Sequence, residues 1–320
     1  MKYLYGLLKY STNNIGDEIQ SLVARQFLPR VDILLDRDKL NKVRSKQKIK
    51  VIMNGWFTHL PENWPPSEAI EPLFISFHIT PSAIKIMTTE KSLAYLKKHA
   101  PIGCRDLYTQ NILRSHSIDT YFSGCLTLTF HKNRDKVAKH IFVVDLEKND
   151  LSELPTTMIK DATYTNHYSI LPITGSVTLF LSKLLRRYYF LTDKLKTESL
   201  LKIFIKKIEL WFCGIFSNNF KFNKASEVLD LYKNASLVIT SRLHCALPCV
   251  AFGTPVIFLS RNIENVRFKE YMEYFITKSD IASVSDIDNF IKNKMIKNDQ
   301  SLYQIKQTLI QKCRQFIASQ

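Results

Sequence analysis

One stretch in the last third of the chain limits what the rest can fold into. Leu237 to Thr240 is a short, apolar, β-branched run and reads as a buried strand. Ser241, Arg242 and His244 follow at once. A small-residue segment of about helix length comes next and ends at Phe252-Gly253. Gly253 stands where a helix C-cap belongs, with Pro255 just beyond. Val256 to Leu259 reads as a second buried strand. Open parallel sheets bind ligands at the C-terminal ends of their strands, beside helix N-termini. Arg242 and His244 occupy that place. A cation there opposes the helix dipole, so Arg242 points to an anionic partner.

The same alternation fills the first part of the chain. Tyr3 to Leu8, Val31 to Leu35, Ile49 to Met53 and Leu73 to Ile79 read as strands. A helix starts after the polar turn at Ser11 to Glu18, with Ile19, Leu22, Val23 and Phe27 at helical spacing. Another spans about Thr89 to His99. Ile102 to Asp106 reads as a turn leading into a helix. Tyr121 to Leu126 reads as strand then turn. The charged bridge from His131 to Lys139 is the candidate linker. It divides the chain into an N-terminal α/β domain, 1–135, and a C-terminal one, 136–320, closed by terminal helices. After about Ser283 the pattern is helical, with Leu309, Cys313 and Phe316 spaced to pack on something.

Composition excludes more than it selects. With 320 residues and a 45% apolar share there is chain enough for two cores. The net charge of +16 suits a phosphorylated substrate, an acidic glycan, a lipid head group or a nucleic acid. A Lys-rich compositional bias explains it as well, so charge selects no partner. The six cysteines form no CxxC pair and no zinc spacing, which suits a reducing, cytosolic setting. No apolar run reaches the roughly 18 residues of a transmembrane helix. Met1 to Leu8 reads as a first strand, not a signal peptide. Between Lys183 and Lys207 there are eight basic and two acidic residues. With the apolar face of Leu200, Phe204, Ile208 and Trp211, the segment 183–212 could lie on an anionic membrane or pack on its own domain.

Several turns then meet one pattern. Asn14-Ile15-Gly16-Asp17, Gly103-Cys104-Arg105-Asp106, Gly124-Cys125-Leu126-Thr127, Ser241-Arg242-Leu243-His244 and Gly253-Thr254-Pro255 occur in this order. In order and spacing the chain resembles the polysaccharide pyruvyl transferase family from about residue 10 to residue 260. The resemblance implies two Rossmann-like domains facing a cleft, as in GT-B glycosyltransferases. It implies phosphoenolpyruvate as donor, a sugar as acceptor and a pyruvate ketal as product. Arg242, with Ser241 and Arg105, is then expected to hold the donor. His244 and Asp17 are the expected acid/base groups, and Asn14, Gly16, Asn54 and Gly55 are expected to line the cleft. One position departs from the pattern: many members carry a Gly-Gly pair where this chain has Asn54-Gly55-Trp56.

The chemistry suits these residue types. The donor's phosphate and carboxylate need cations, and Arg offers a permanently charged bidentate fork. Its methylene carbon must gain a proton while two sugar hydroxyls lose theirs, work a His near neutrality can share. No cofactor, metal or nucleic acid is expected, and the donor is a co-substrate. The acceptor is expected to be a glycan or a lipid-linked glycan, met in the cytoplasm or at the inner membrane face. A GT-B glycosyltransferase using a nucleotide sugar is the alternative, and a non-enzymatic binder of anionic polymer or membrane a third. Asp17 also reads as a cap, and His59 and His78 read as structural.

Overall fold

The computed structural model describes residues 3–57, 59–132, 140–146, 148–152, 154–168, 218–260, 265–283 and 287–319. The expected linker at 133–139 and nearly all of the basic segment, including 183–212, lie outside them. Two parallel sheets carry the fold. The first contains β1 (Tyr3–Lys9), β2 (Ile33–Asp36), β3 (Lys48–Trp56), β4 (Ile70–His78), β5 (Ile102–Cys104) and β6 (Thr120–Phe122), in the order β2-β1-β3-β4-β5-β6. The second contains β7 (His140–Val144), β8 (Thr163–Thr165), β9 (Ala235–Thr240) and β10 (Val256–Phe258), in the order β10-β9-β7-β8. The central strands are buried on both faces, which is why they read as continuous apolar runs rather than alternating ones. Strand order reverses between β1 and β3, and again between β7 and β9. Such reversals leave a crevice at the carboxyl ends of the strands.

One element differs from the sequence expectation. Ile102 to Cys104 reads as a turn, yet it forms β5, because Ile102, Gly103 and Cys104 pair in register with Thr120, Tyr121 and Phe122. Three residues are too few for a periodicity to be visible; the ladder, not the local pattern, makes the strand.

Helix α1 (Ile15–Arg25) is the wall common to both halves of the fold. Asn14 caps it, its Oδ1 accepting from Gly16 N at 3.2 Å, and Asp17, Glu18 and Arg25 suit the helix dipole. Ile15 and Ile19 pack with residues of the second sheet's helices, whereas Val23 and Ala24 pack with Leu7, Ile52 and Ile75 of the first sheet. On the second sheet, α2 (Leu243–Phe252) is buried along its whole length. It ends at Gly253, which adopts φ 77°, the left-handed C-cap conformation that its sequence position predicts.

The last helix, α3 (Ile287–Ala318), returns to the first sheet, where Leu309 and Cys313 join Leu7, Ile52 and Ile75. Lys50 of β3, fully buried, donates to Phe316 O at 2.8 Å, to Ser319 Oγ at 3.0 Å and to Ser319 O. Among the described residues no helix is long and apolar enough to cross a membrane.

Candidate active site

A cavity of about 510 Å³ opens at the carboxyl ends of the second sheet's strands. Asp145 follows β7, His167 follows β8, and Ser241, Arg242 and His244 follow β9; all of them line it. Arg267 lines it from the segment after β10, and Asn14 reaches it from the N-terminus of α1. Backbone bonds hold α1 in this place: Ile15 N donates to His167 O at 3.0 Å. Gly16 allows the approach, since a Cβ there would lie 3.1 Å from the His244 Cβ.

Arg242 is half paired. Its Nε donates to Asp145 Oδ2 at 2.9 Å and its Nη2 to the Tyr168 hydroxyl at 3.1 Å, with the guanidinium over the Tyr168 ring. Its side chain is 39% exposed, so it stands at the mouth of the cavity. Deeper groups are arranged differently. Arg105 follows β5, is fully buried, and among the described residues has no hydrogen-bond partner at any of its three guanidinium nitrogens. Its nearest carboxylate oxygen, Asp106 Oδ2, is 3.8 Å from Nε. Arg267 Nε and the Nε2 atoms of His244, His167 and His78 are likewise buried and without partners. Buried polar groups are bonded in the great majority of cases, and a buried charge without a partner is costly. His78 and Arg105 at strand ends of the first sheet, with His167, His244 and Arg267 after strands of the second, thus make five buried side chains with nitrogens that lack a hydrogen-bond partner among the described residues.

The electrostatics agree. Burial, with Arg105 and Arg267 next in weight, holds His244 well below the ordinary histidine pKa. Burial, then Arg242, lowers His167 to about 3. Burial, then Arg105, lowers His78 to about 4 against the pull of Asp106. Burial, then Arg105, brings Arg267 down to about 10. The histidines are therefore neutral near pH 7. An entering anion would offset the surrounding cations and favour their protonated forms.

The expected site residues fall into two groups. Asn14, Ser241, Arg242 and His244 line the cavity, Gly16 touches His244, and Arg105 lies close enough to shift it electrostatically. Asp17, Asn54 and Gly55 are not among the residues lining it. Asp17 is buried, accepting from the Thr12 hydroxyl at 2.6 Å and lying 3.5 Å from Arg37 Nη1. Asn54 donates to Gln20 O at 2.8 Å, and Gly55 lies against the Gln20 side chain, so both support α1 from beneath. Sequence reasoning missed Asp145, His167 and Arg267 and set His78 aside. Each of these sits singly at a strand end or in a loop, and no local pattern marks it.

These features define a class: a parallel α/β protein with buried arginines and histidines gathered at its strand ends. The chain belongs to the polysaccharide pyruvyl transferase family, whose sequence model matches residues 14–263. That span holds Asn14, Gly16, Asp17, Arg105, Ser241, Arg242 and His244 and stops short of Arg267. No curated protein matches the chain. Among solved structures, the UDP co-structure of S. aureus MnaA is similar over 96% of this chain and 91% of that one, at 10% identity and a TM-score of 0.37. A likeness that loose carries no argument here.

Proposed function

We propose that the protein transfers the pyruvyl group of phosphoenolpyruvate to two hydroxyls of one sugar in a cell-surface polysaccharide or its lipid-linked precursor. The products are a cyclic ketal and inorganic phosphate. The observation that carries this reading is Arg105, a buried guanidinium without a hydrogen-bond partner among the described residues, coupled electrostatically to His244 and Arg267 of the cavity lining. A donor with roughly three negative charges suits that group, since charge-assisted bonds to arginine are among the strongest available.

In this proposal Arg242 and Ser241 hold one anionic group at the mouth, and Arg105 with Arg267 draws the other inward. His244, made acidic enough to give up a proton yet recharged by the donor's own negative charge, serves the methylene carbon. Asn14 and Gly16 form the facing wall. Asp17 acts from behind, where its charge offsets those of Arg37 and Arg267. Residues 1–135 and 136–320 are the two Rossmann-like domains that close on the donor, with Asn54 and Gly55 keeping α1 in place between them. The work is done in the cytoplasm, at the membrane face if the segment 183–212 binds anionic lipid.

Thermal shift with phosphoenolpyruvate, UDP, GDP and CMP tests the donor. Stabilisation by phosphoenolpyruvate, together with acceptor-dependent phosphate release that is lost in His244→Gln, is expected. Stabilisation by a nucleotide alone would instead favour a glycosyltransferase using a nucleotide sugar.

A further inference from the structure

His78 has the build of an acid/base group, although nothing in its sequence context marks it. It ends β4 and is fully buried. Asp106 fixes its ring: Oδ1 accepts from Thr109 N at 2.8 Å and Oδ2 lies 2.6 Å from His78 Nδ1. Burial would raise the Asp106 pKa, but the His78 bond, the Arg105 charge and the Thr109 backbone bond outweigh it, so the carboxylate is ionised and can only accept. The shared proton therefore sits on Nδ1, and Nε2 carries a free lone pair. Among the described residues that atom has no hydrogen-bond partner. The charged and titratable groups around the ring are Asp106 and Arg105 from the turn after β5, Arg267 from the segment after β10, and His244 from α2. The Thr109 hydroxyl is 3.4 Å from Nδ1. A histidine kept only for packing has both nitrogens satisfied in most proteins; this one leaves Nε2 without a partner among the described residues and is electrostatically coupled to Arg105, Arg267 and His244.

We propose that His78, oriented by Asp106, is a second acid/base residue of this site, working beside His244. The inference rests on the pyruvyl-transfer reading, whose proton count gives two groups work to do. One C–H bond forms at the methylene carbon and two C–O bonds form to the sugar, while the C=C π bond and the C–O bond to phosphate break. Two sugar O–H bonds also break; one proton ends on carbon and the other leaves with phosphate. No oxidant or reductant is involved. His244 gives a proton to carbon and recovers it from the first hydroxyl; His78 takes the proton of the second hydroxyl and passes it to phosphate.

The test compares wild type, His78→Gln and Asp106→Asn with phosphoenolpyruvate and a panel of p-nitrophenyl hexosides as acceptors. Phosphate release and the pH profile of kcat are measured. His78→Gln is expected to keep the thermal shift with phosphoenolpyruvate, lose about 100-fold in kcat with KM changed less than about 3-fold, and lose one limb of the profile. Asp106→Asn retains the helix cap and should move the same limb with a smaller loss. A wild type that releases phosphate while His78→Gln keeps its kcat, or loses only donor binding with an unchanged profile, overturns the proposal. If His78→Gln does not fold, Asp106→Asn decides: an unmoved limb overturns it. A wild type neither stabilised by phosphoenolpyruvate nor active with it defeats the pyruvyl-transfer reading itself, a distinct result.

Discussion

A side chain on Gly16 would begin 3.1 Å from the Cβ of His244 and 3.3 Å from its Nδ1. The N-terminus of α1 thus sets the position of an imidazole in the first turn of α2, the helix that follows β9. Gly16→Ala must displace that ring by a few tenths of an ångström, or push against Asn14 Oδ1 at 3.2 Å. Alanine is the better helix former, so stability should change by less than about 1 kcal/mol. Turnover should nonetheless fall at least about 10-fold, because small misplacements of reacting groups are expensive in rate. Steady-state kinetics beside a thermal melt separate the two effects; full turnover would show that His244 has room to move.

Stability should peak near neutral pH, and the sign follows from four buried groups. His78, His167 and His244 titrate below the ordinary 6.5, so between about pH 6.5 and 4 the unfolded chain binds protons that the folded one refuses. Stability is full above that window and is lost as pH falls through it. Glu18 opposes them. Burial, then Asp17, raises its carboxyl to about 8, so the folded state holds a proton there that the unfolded state releases above about 4.5. That contribution is present at low pH and lost as pH rises towards 8. The net acid-side slope is about two protons, roughly 2–3 kcal/mol per pH unit at its steepest. Urea unfolding across pH 5 to 9 measures it. His167→Gln should flatten the acid side, and Glu18→Gln the alkaline side.

Arg105 should prove costly to the free protein. Replacing a buried charge that has no hydrogen-bond partner with an apolar side chain of similar length is often neutral or stabilising. Arg105→Met is therefore expected to hold or raise Tm while abolishing the thermal shift with phosphoenolpyruvate. A large fall in Tm would mean that Asp106, at 3.8 Å, already neutralises the guanidinium in the free protein.

Ending the chain at Gln315 removes Phe316 O and both Ser319 acceptors from the buried ammonium of Lys50. A loss on the order of 3 kcal/mol is expected in chemical denaturation. Lys50→Met in the shortened chain should recover part of it. Equal stability of the full-length and shortened chains would show that those acceptors are replaced by water.

Much of the fold is legible in the sequence because its strands are buried on both faces. Ile49 to Met53 and Leu237 to Thr240 stand out as apolar β-branched runs, and Asn14 and Gly253 mark helix ends by chemistry that acts within a few residues. Strand β5 is not legible, since three residues owe their conformation to neighbours more than 15 positions away. The site divides in the same way. Ser241, Arg242 and His244 are visible because a single turn carries all three. His78, Arg105 and Arg267 are coupled electrostatically only because the ends of β4 and β5 and the segment after β10 come near one another, a tertiary fact that no local window contains. That Arg105 is buried and without hydrogen-bond partners, the property that matters most, is invisible in its identity.

The bond from Lys50 to the end of α3 spans 266 residues at Phe316 and 269 at Ser319. The ribosome makes the donor at least 266 residues before the acceptors. A chain still being translated, or one stopped short by a nonsense codon, holds an ammonium in its first sheet without those acceptors, beside apolar surface that Leu309 and Cys313 would have covered. N-terminal domains commonly fold during synthesis. Here the first sheet has to wait for the segment from Leu309 to Ser319, so a product stopped before it is expected to keep an apolar face open to proteases.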